Sequence, residues 1–177
     1  MRKYKNIKAN KGITLIELLV YIAVSTIIII STFTFVISLI KAQAKVSMER
    51  ETWESSQRVI DQITRELQKA TLINEGASSF GVNPGVLDFE TYQYDSDDII
   101  NMKVYESGNR IYIQTATYND AMTSDDINIT NLTFELFSSG SGVKNIKTTI
   151  TAEKNEKVLG SNFNASTTLI RSITIRN

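Results

Sequence analysis

Residues 13–40, ITLIELLVYIAVSTIIIISTFTFVISLI, form an apolar run of 28 residues with one charged side chain, Glu17. No other feature limits the fold as strongly. As a helix the run is about 42 Å long at about 1.5 Å per residue. A bilayer core needs only about 20 such residues. The run therefore predicts a membrane-crossing helix with a turn or more to spare. Arg2, Lys3, Lys5, Lys8 and Lys11 precede it, with no acid among them. Basic flanks stay on the cytoplasmic side, which predicts an extracytoplasmic position for everything after the run.

Three kinds of segment have this outline. A secretory signal peptide has a basic start, and Ala42-Gln43-Ala44 has the small residues of a cleavage site. Its apolar region, however, is usually only about 7–15 residues. A signal anchor holding an outer binding domain, one that never polymerises, accounts for the length and the basic flank. It leaves Glu17 without a role. A carboxylate inside an apolar span costs about 2.5–3.5 kcal/mol at the helix centre and less near its end, so such residues are read as functional and need a partner.

The third kind supplies the partner. Lys11-Gly12-Ile13-Thr14-Leu15-Ile16-Glu17-Leu18-Leu19-Val20 closely resembles the processing site of type IV prepilins and pseudopilins. The resemblance implies cleavage by a prepilin peptidase between Gly12 and Ile13, and N-methylation of the new amine at Ile13. It implies an assembly role for Glu17, then the fifth residue of the mature chain. The amine of an incoming subunit would meet the Glu17 carboxylate of a neighbour in a low-dielectric setting, where opposite charges attract strongly. The other implied partners are further pilin or pseudopilin subunits, the inner-membrane assembly platform and membrane lipid. The family usually begins its mature chain with Phe, and Ile13 departs from that. Many major members carry a proline where this chain has Thr34, and the run has neither Pro nor Gly. That departure is commoner among minor members.

Hydroxyls recur along the run at Ser25, Thr26, Ser31, Thr32, Thr34 and Ser38. They either bond back to the preceding turn, bond across packed helices, or are simply tolerated in a membrane helix. After Ile40 the sequence becomes charged but keeps a helical period. Trp53, Ser56, Ile60, Ile63, Leu67 and Ala70 recur at steps of three and four, a stripe expected to lie on a sheet with Trp53 as a packing anchor. Lys45/Glu49, Glu54/Arg58 and Asp61/Arg65 are spaced for ion pairs on the exposed side. The helix is expected to run from about 14 to 72 and to end before Asn74-Glu75-Gly76.

From residue 86 the pattern is that of strands: 86–92, 99–105, 110–117, 127–137, 143–152 and 167–175 are rich in β-branched and aromatic residues. Ser107-Gly108-Asn109 predicts a tight hairpin and Gly140-Ser141-Gly142 a longer one. Residues 153–166 read as a flexible loop. The expected fold class is α+β, a long N-terminal helix on an antiparallel meander. The expected divisions are a basic leader at 1–12, a membrane and assembly half-helix at 13–40, an amphipathic half at 41–73 and an extracytoplasmic sheet domain at 74–177. The resemblance implies the same architecture.

Composition narrows the chemistry. The chain has no cysteine and no histidine, which removes thiolate sites, His-based acid/base catalysis and His-ligated zinc. No enzymatic activity and no cofactor are expected. Without residues 1–12, 14 basic and 19 acidic side chains remain, and no basic patch suggests a nucleic-acid partner. The acidic stretches Asp95-Ser96-Asp97-Asp98 and Asp120…Asp125-Asp126 offer oxygen ligands of the kind Ca²⁺ takes. Neither fits the EF-hand spacing, and solvated loops are the favoured reading.

Overall fold

The computed structural model describes residues 12–93, 98–138 and 143–176. Residues 1–11, the Asp95–Asp97 part of the first acidic stretch and the Gly140-Ser141-Gly142 turn lie outside them. One helix, α1 (Leu15–Gln68), is followed by eight strands: β1 (Ala70–Ile73), β2 (Val86–Tyr92), β3 (Ile99–Ser107), β4 (Arg110–Gln114), β5 (Asn119–Ala121), β6 (Asn128–Ser138), β7 (Val143–Val158) and β8 (Ser161–Arg176). The class is α+β. Two compact units divide after Ala42.

The first unit holds the N-terminal part of α1. Every described side chain from Gly12 to Ile40 is exposed. An 18-residue window of α1 has a mean hydropathy of 2.3 and none of it is buried, so by length and composition the helix is able to cross a membrane. The Thr26, Thr32 and Thr34 hydroxyls donate to the carbonyls of Ile22, Ile28 and Ile30 at 2.8–2.9 Å. Three of the six hydroxyls thus satisfy themselves one turn back. This removes the cost of bare polar groups in hydrocarbon.

In the second unit the helix buries Met48, Thr52, Ser55, Ser56, Val59, Ile60, Ile63 and Leu67. Ser56, Ile60, Ile63 and Leu67 are on this face as the period predicted. Trp53 is not; it is 49% exposed, and Thr52 is buried in its place. The upper part of the contact is lined by small hydroxyl residues. Thr52 donates to the Met48 carbonyl and Ser56 to that of Thr52, each at 2.8 Å. Their polar atoms are satisfied within the helix, which lets these short side chains be buried. The expected ion pairs also shift. Lys45–Glu49 forms at 3.8 Å, but Glu54 pairs with Arg50 at 2.7 Å, and Asp61 pairs with Arg171 of β8.

The helix ends earlier than the period suggested. Lys69 donates to the Glu66 carbonyl, and Ala70 begins β1, which pairs antiparallel with β2. Ala70 is buried as a strand residue rather than as the last of a helical stripe. Asn74-Glu75-Gly76 belongs to the β1–β2 connection.

The strands form two sheets, ordered β1-β2-β3-β4-β5 and β6-β7-β8, each an antiparallel meander. Leu87, Phe89, Met102, Val104, Ile111 and Ile113 from the first sheet share one core with Ile129, Leu132, Phe134, Ile146, Ile150, Ile173 and Ile175 from the second and with Val59, Ile60, Ile63 and Leu67 of α1. Gly108 and Asn109 both have positive φ and close the predicted β3–β4 hairpin. The loop expected at 153–166 is instead ordered pairing. β7 and β8 continue past Ala152 to a two-residue turn, Leu159-Gly160, both at positive φ. Gly160, read as flexible, is the second residue of that turn.

The loop at 79–85 seals the outer edge of β6. Gly81 and Gly85 donate to the carbonyls of Phe134 and Leu132 at 2.8 and 2.7 Å. Asn83 accepts from the Leu132 amide and donates to the Thr130 carbonyl. A Cβ on Gly85 would stand 3.0 Å from both the Leu132 oxygen and the Phe134 ring, so this approach requires glycine.

Candidate functional site: the helix N-terminus

Gly12, Ile13 and Thr14 precede the first helical residue, Leu15. A side chain added at Gly12 would meet nothing within 4 Å, and Ile13 is 69% exposed. The Gly12–Ile13 peptide bond is therefore outside the helical ladder and open on its glycine side. Proteolysis needs both, because a bond locked in a helix must unwind before it fits a cleavage site.

Thr14 caps the helix. Its hydroxyl accepts from the Glu17 amide at 3.3 Å, and its carbonyl accepts from the amides of Glu17 and Leu18 at 3.1 Å. This satisfies donors that every helix start leaves bare. The spacing Thr14-x-x-Glu17 is that of a capping box, a signal present in the sequence and passed over there. It places Glu17 in the first turn, where the positive end of the helix dipole favours a carboxylate. The Glu17 side chain accepts from the Tyr21 hydroxyl at 3.3 Å, one turn on. Tyr21 is the other functional neighbour missed by sequence reasoning; its i+4 spacing from Glu17 was the available signal.

The site thus places the Gly12–Ile13 bond and the Glu17 carboxylate about one helical turn apart. Among the described residues it holds one polar partner for the carboxylate, Tyr21, and no cation. The surroundings are apolar and exposed: Leu15, Ile16, Leu18, Leu19 and Val20 are each more than half exposed. Ala42-Gln43-Ala44, the alternative cleavage site, lies inside α1.

The outer acidic loop looks different. Asp125 pairs with Arg110, and Asp126 with Lys154 at 2.6 Å. Lys154 also reaches Glu51 of α1 at 2.8 Å. Hydrogen bonds from Lys154 first, then from Ser124, hold the Asp126 carboxyl down at about 2. Among the described residues no group of three or more Asp or Glu side chains converges as metal ligands do. A cleft lined by Glu66, Lys69, Tyr92, Ile100, Met102 and Tyr118 holds the Glu66–Lys69 ion pair at 3.7 Å. Burial, then Glu66, then Asp120 push the Tyr118 phenol up, which keeps it a neutral hydroxyl.

Residues 7–33 match the family model described as the prokaryotic N-terminal methylation motif. No curated protein and no solved structure matches the chain.

Proposed function

The chain carries the N-terminal methylation motif of type IV prepilins and pseudopilins, which supports membership of that family, and we propose that it is a minor structural subunit of a type IV pilus or of a type II secretion or competence pseudopilus. Prepilin peptidase cleaves between Gly12 and Ile13, and Ile13 is then methylated on its nitrogen. The helix leaves the bilayer by packing against the helices of other subunits on the inner-membrane assembly platform. The outer domain faces away from the cytoplasm. No catalytic step is assigned to this chain, and no nucleic-acid partner.

The observation that carries this reading is the capped first turn. Glu17 is the only charged side chain in an exposed apolar helix surface, and it sits four residues from Ile13. Cleavage creates a cation at Ile13 and removes five basic side chains upstream. In an apolar setting a carboxylate needs an opposite charge, and the Ile13 amine of an adjoining subunit is of the right kind. The pairing would set register, as single buried polar groups do elsewhere. The absence of proline from the span supports the minor assignment.

Intact mass spectrometry of the membrane form, from cells with an active prepilin peptidase, tests this reading. A chain beginning at methylated Ile13 is expected. A chain that retains residues 1–12 would leave a signal-anchored outer domain as the reading that stands. Copy number per filament by immunogold labelling tests the minor assignment. Sparse or terminal labels are expected, and labels spaced regularly along the shaft would make it a major subunit.

A further inference from the structure

The last turn of α1, the end of β2, the start of β3 and the β4–β5 turn meet at one end of the first sheet. They line a cavity of about 280 Å³. That is at the small end for ligand sites, so it suits a head group rather than a whole drug-sized molecule. Its floor is apolar: Met102 is buried in the core and Ile100 packs against that core. Tyr92 and Tyr118, each about half exposed, stand at its wall. Glu66 adds a carboxylate whose side chain is only 23% exposed.

The aromatic wall is held in place by the backbone. Thr115 donates its amide to the Tyr118 carbonyl at 2.8 Å, and its hydroxyl accepts from the amides of Thr117 and Tyr118 at 3.2 and 3.3 Å. Tyr92 is paired in the sheet with Ile99. Neither ring is covered by a cation of the chain. Among the described residues, Lys103 and Arg110 lie over Tyr105 and Tyr112 instead. The wall is also negative: after burial, the Glu66 and then the Asp120 carboxylates push the Tyr118 phenol up. One cation stands against this, the Lys69 ammonium at 3.7 Å from Glu66. That contact is long and Lys69 is half exposed, so solvent screens it and an incoming cation can displace it.

We propose that this cavity binds an alkylammonium group, seated on Ile100 and Met102 beside the rings of Tyr92 and Tyr118 and neutralised by Glu66. An ammonium is drawn to the negative face of an aromatic ring. Its methyl or methylene groups match the floor, and the carboxylate meets its charge. An anion would face Glu66 and Asp120, and a neutral group would forgo both attractions. A free amine and a lysine side chain of another polypeptide carry the same group.

The test uses the full chain in maltoside micelles, which contain no choline head groups. NMR shifts of Ile100, Met102 and residues 115–118 are followed with choline, with N-acetyl-lysine amide, and with the neutral analogue of choline in which carbon replaces nitrogen. A saturable shift with choline, the lysine amide or both is expected, with the neutral analogue at least about tenfold weaker. Binding of the lysine amide alone places the group on a polypeptide, and binding of choline alone places it on a free amine. Glu66→Gln is expected to weaken binding at least about fivefold, and Lys69→Gln to strengthen it about twofold, since one removes the counter-charge and the other the internal competitor. Tyr118→Phe keeps the ring and should bind like the parent, whereas Tyr118→Leu should not. Melting within about 2 °C of the parent shows that each variant is folded. The proposal is overturned by no saturable shift with either cation, by equal binding of the neutral analogue, or by unchanged affinity in folded Glu66→Gln.

Discussion

The guanidinium of Arg171 on β8 donates to the carboxylate of Asp61 on α1, joining residues 110 apart in sequence. Gln57 donates to the same carboxylate from one turn earlier, at 3.2 and 3.3 Å. Both members of the ion pair are about a third exposed, so solvent screens them and the pair is worth about 1 kcal/mol or less. Asp61→Asn and Arg171→Gln are each expected to lower Tm by a few degrees. Because each removes the same contact, the double variant should lose less than the sum of the two, and a thermal double-mutant cycle measures the difference.

The helix contact predicts a sharper contrast. Ile63 is fully buried among both sheets, whereas Trp53 is half exposed. Ile63→Ala is expected to cost about 3 kcal/mol, since it removes apolar atoms and leaves a cavity. Trp53→Ala should cost less than about 1 kcal/mol despite deleting far more volume. Chemical denaturation of the two variants reads the ranking directly. A larger loss for Trp53→Ala would return that indole to the core.

How far the sequence reveals this molecule follows from how local each signal is. The apolar run and the Gly12–Glu17 spacing are contiguous patterns, and both are legible. So are β2, whose bounds match, and the Gly108-Asn109 hairpin, because a short turn between alternating runs states its own geometry. The end of α1 was misplaced because Ala70, Leu72 and Ile73 suit a helix as well as a strand; only pairing with β2 decides between them. The three/four spacing puts Trp53 on the buried stripe, but the residue beside it, Thr52, takes the buried position and Trp53 is half exposed. Residues 153–166 read as a loop because they are polar. Their order comes from pairing across the β7–β8 turn, which no single window of sequence displays. The division into two sheets and the Asp61–Arg171 pair are likewise products of tertiary assembly.

Lys154 should make stability depend on pH at both extremes. Its side chain is only 12% exposed and bridges Glu51 and Asp126. The Asp126 carboxyl sits at about 2, below its ordinary 3.8. Its contribution is therefore present above the ordinary value and is lost as pH falls from about 4 toward 2. The Lys154 ammonium is pushed up to about 12, first by Asp126 and then by Glu51, from an ordinary 10.5. That contribution is present below 10.5 and is lost as pH rises through about 12. Lys154→Met is expected to lower Tm by a few degrees at pH 7. The gap between the variant and the parent should close as pH falls from about 4 to 2, which melts across that range will show.

Glu17 should matter for assembly and not for folding. It is exposed, and among the described residues its side chain is bonded by the Tyr21 hydroxyl. Glu17→Gln keeps the shape and the Tyr21 contact but removes the charge. The variant is expected to melt like the parent, to be trimmed at Ile13, and to fall at least about tenfold in filament incorporation, an effect of roughly 1.4 kcal/mol. Quantitative blotting of sheared filaments against membranes measures it. Normal incorporation would remove the proposed pairing with the Ile13 amine. Tyr21→Phe deletes only the hydroxyl, so a comparable loss there would assign the effect to the hydrogen bond.

The β7–β8 turn contains a strain that a single substitution should relieve. Leu159 has φ +47° and Gly160 φ +77°, the left-handed pair demanded by a two-residue hairpin turn that matches the strand twist. Glycine accepts such a φ freely, but leucine pays roughly 1–2 kcal/mol because its Cβ crowds the carbonyl that follows. The β3–β4 turn meets the same demand with Gly108-Asn109, two residues suited to it. The Leu159 side chain is 58% exposed, so little apolar burial is at stake. Leu159→Asn creates Asn-Gly, the preferred pair for this turn, and should stabilise the hairpin by about 1 kcal/mol. Residues 154–158 and 161–165 pair only with each other, beyond the reach of β6. The gain should therefore appear first as slower amide exchange in those two segments, with a smaller rise in Tm. Leu159→Val, β-branched and less tolerant of positive φ, should move both readouts the other way.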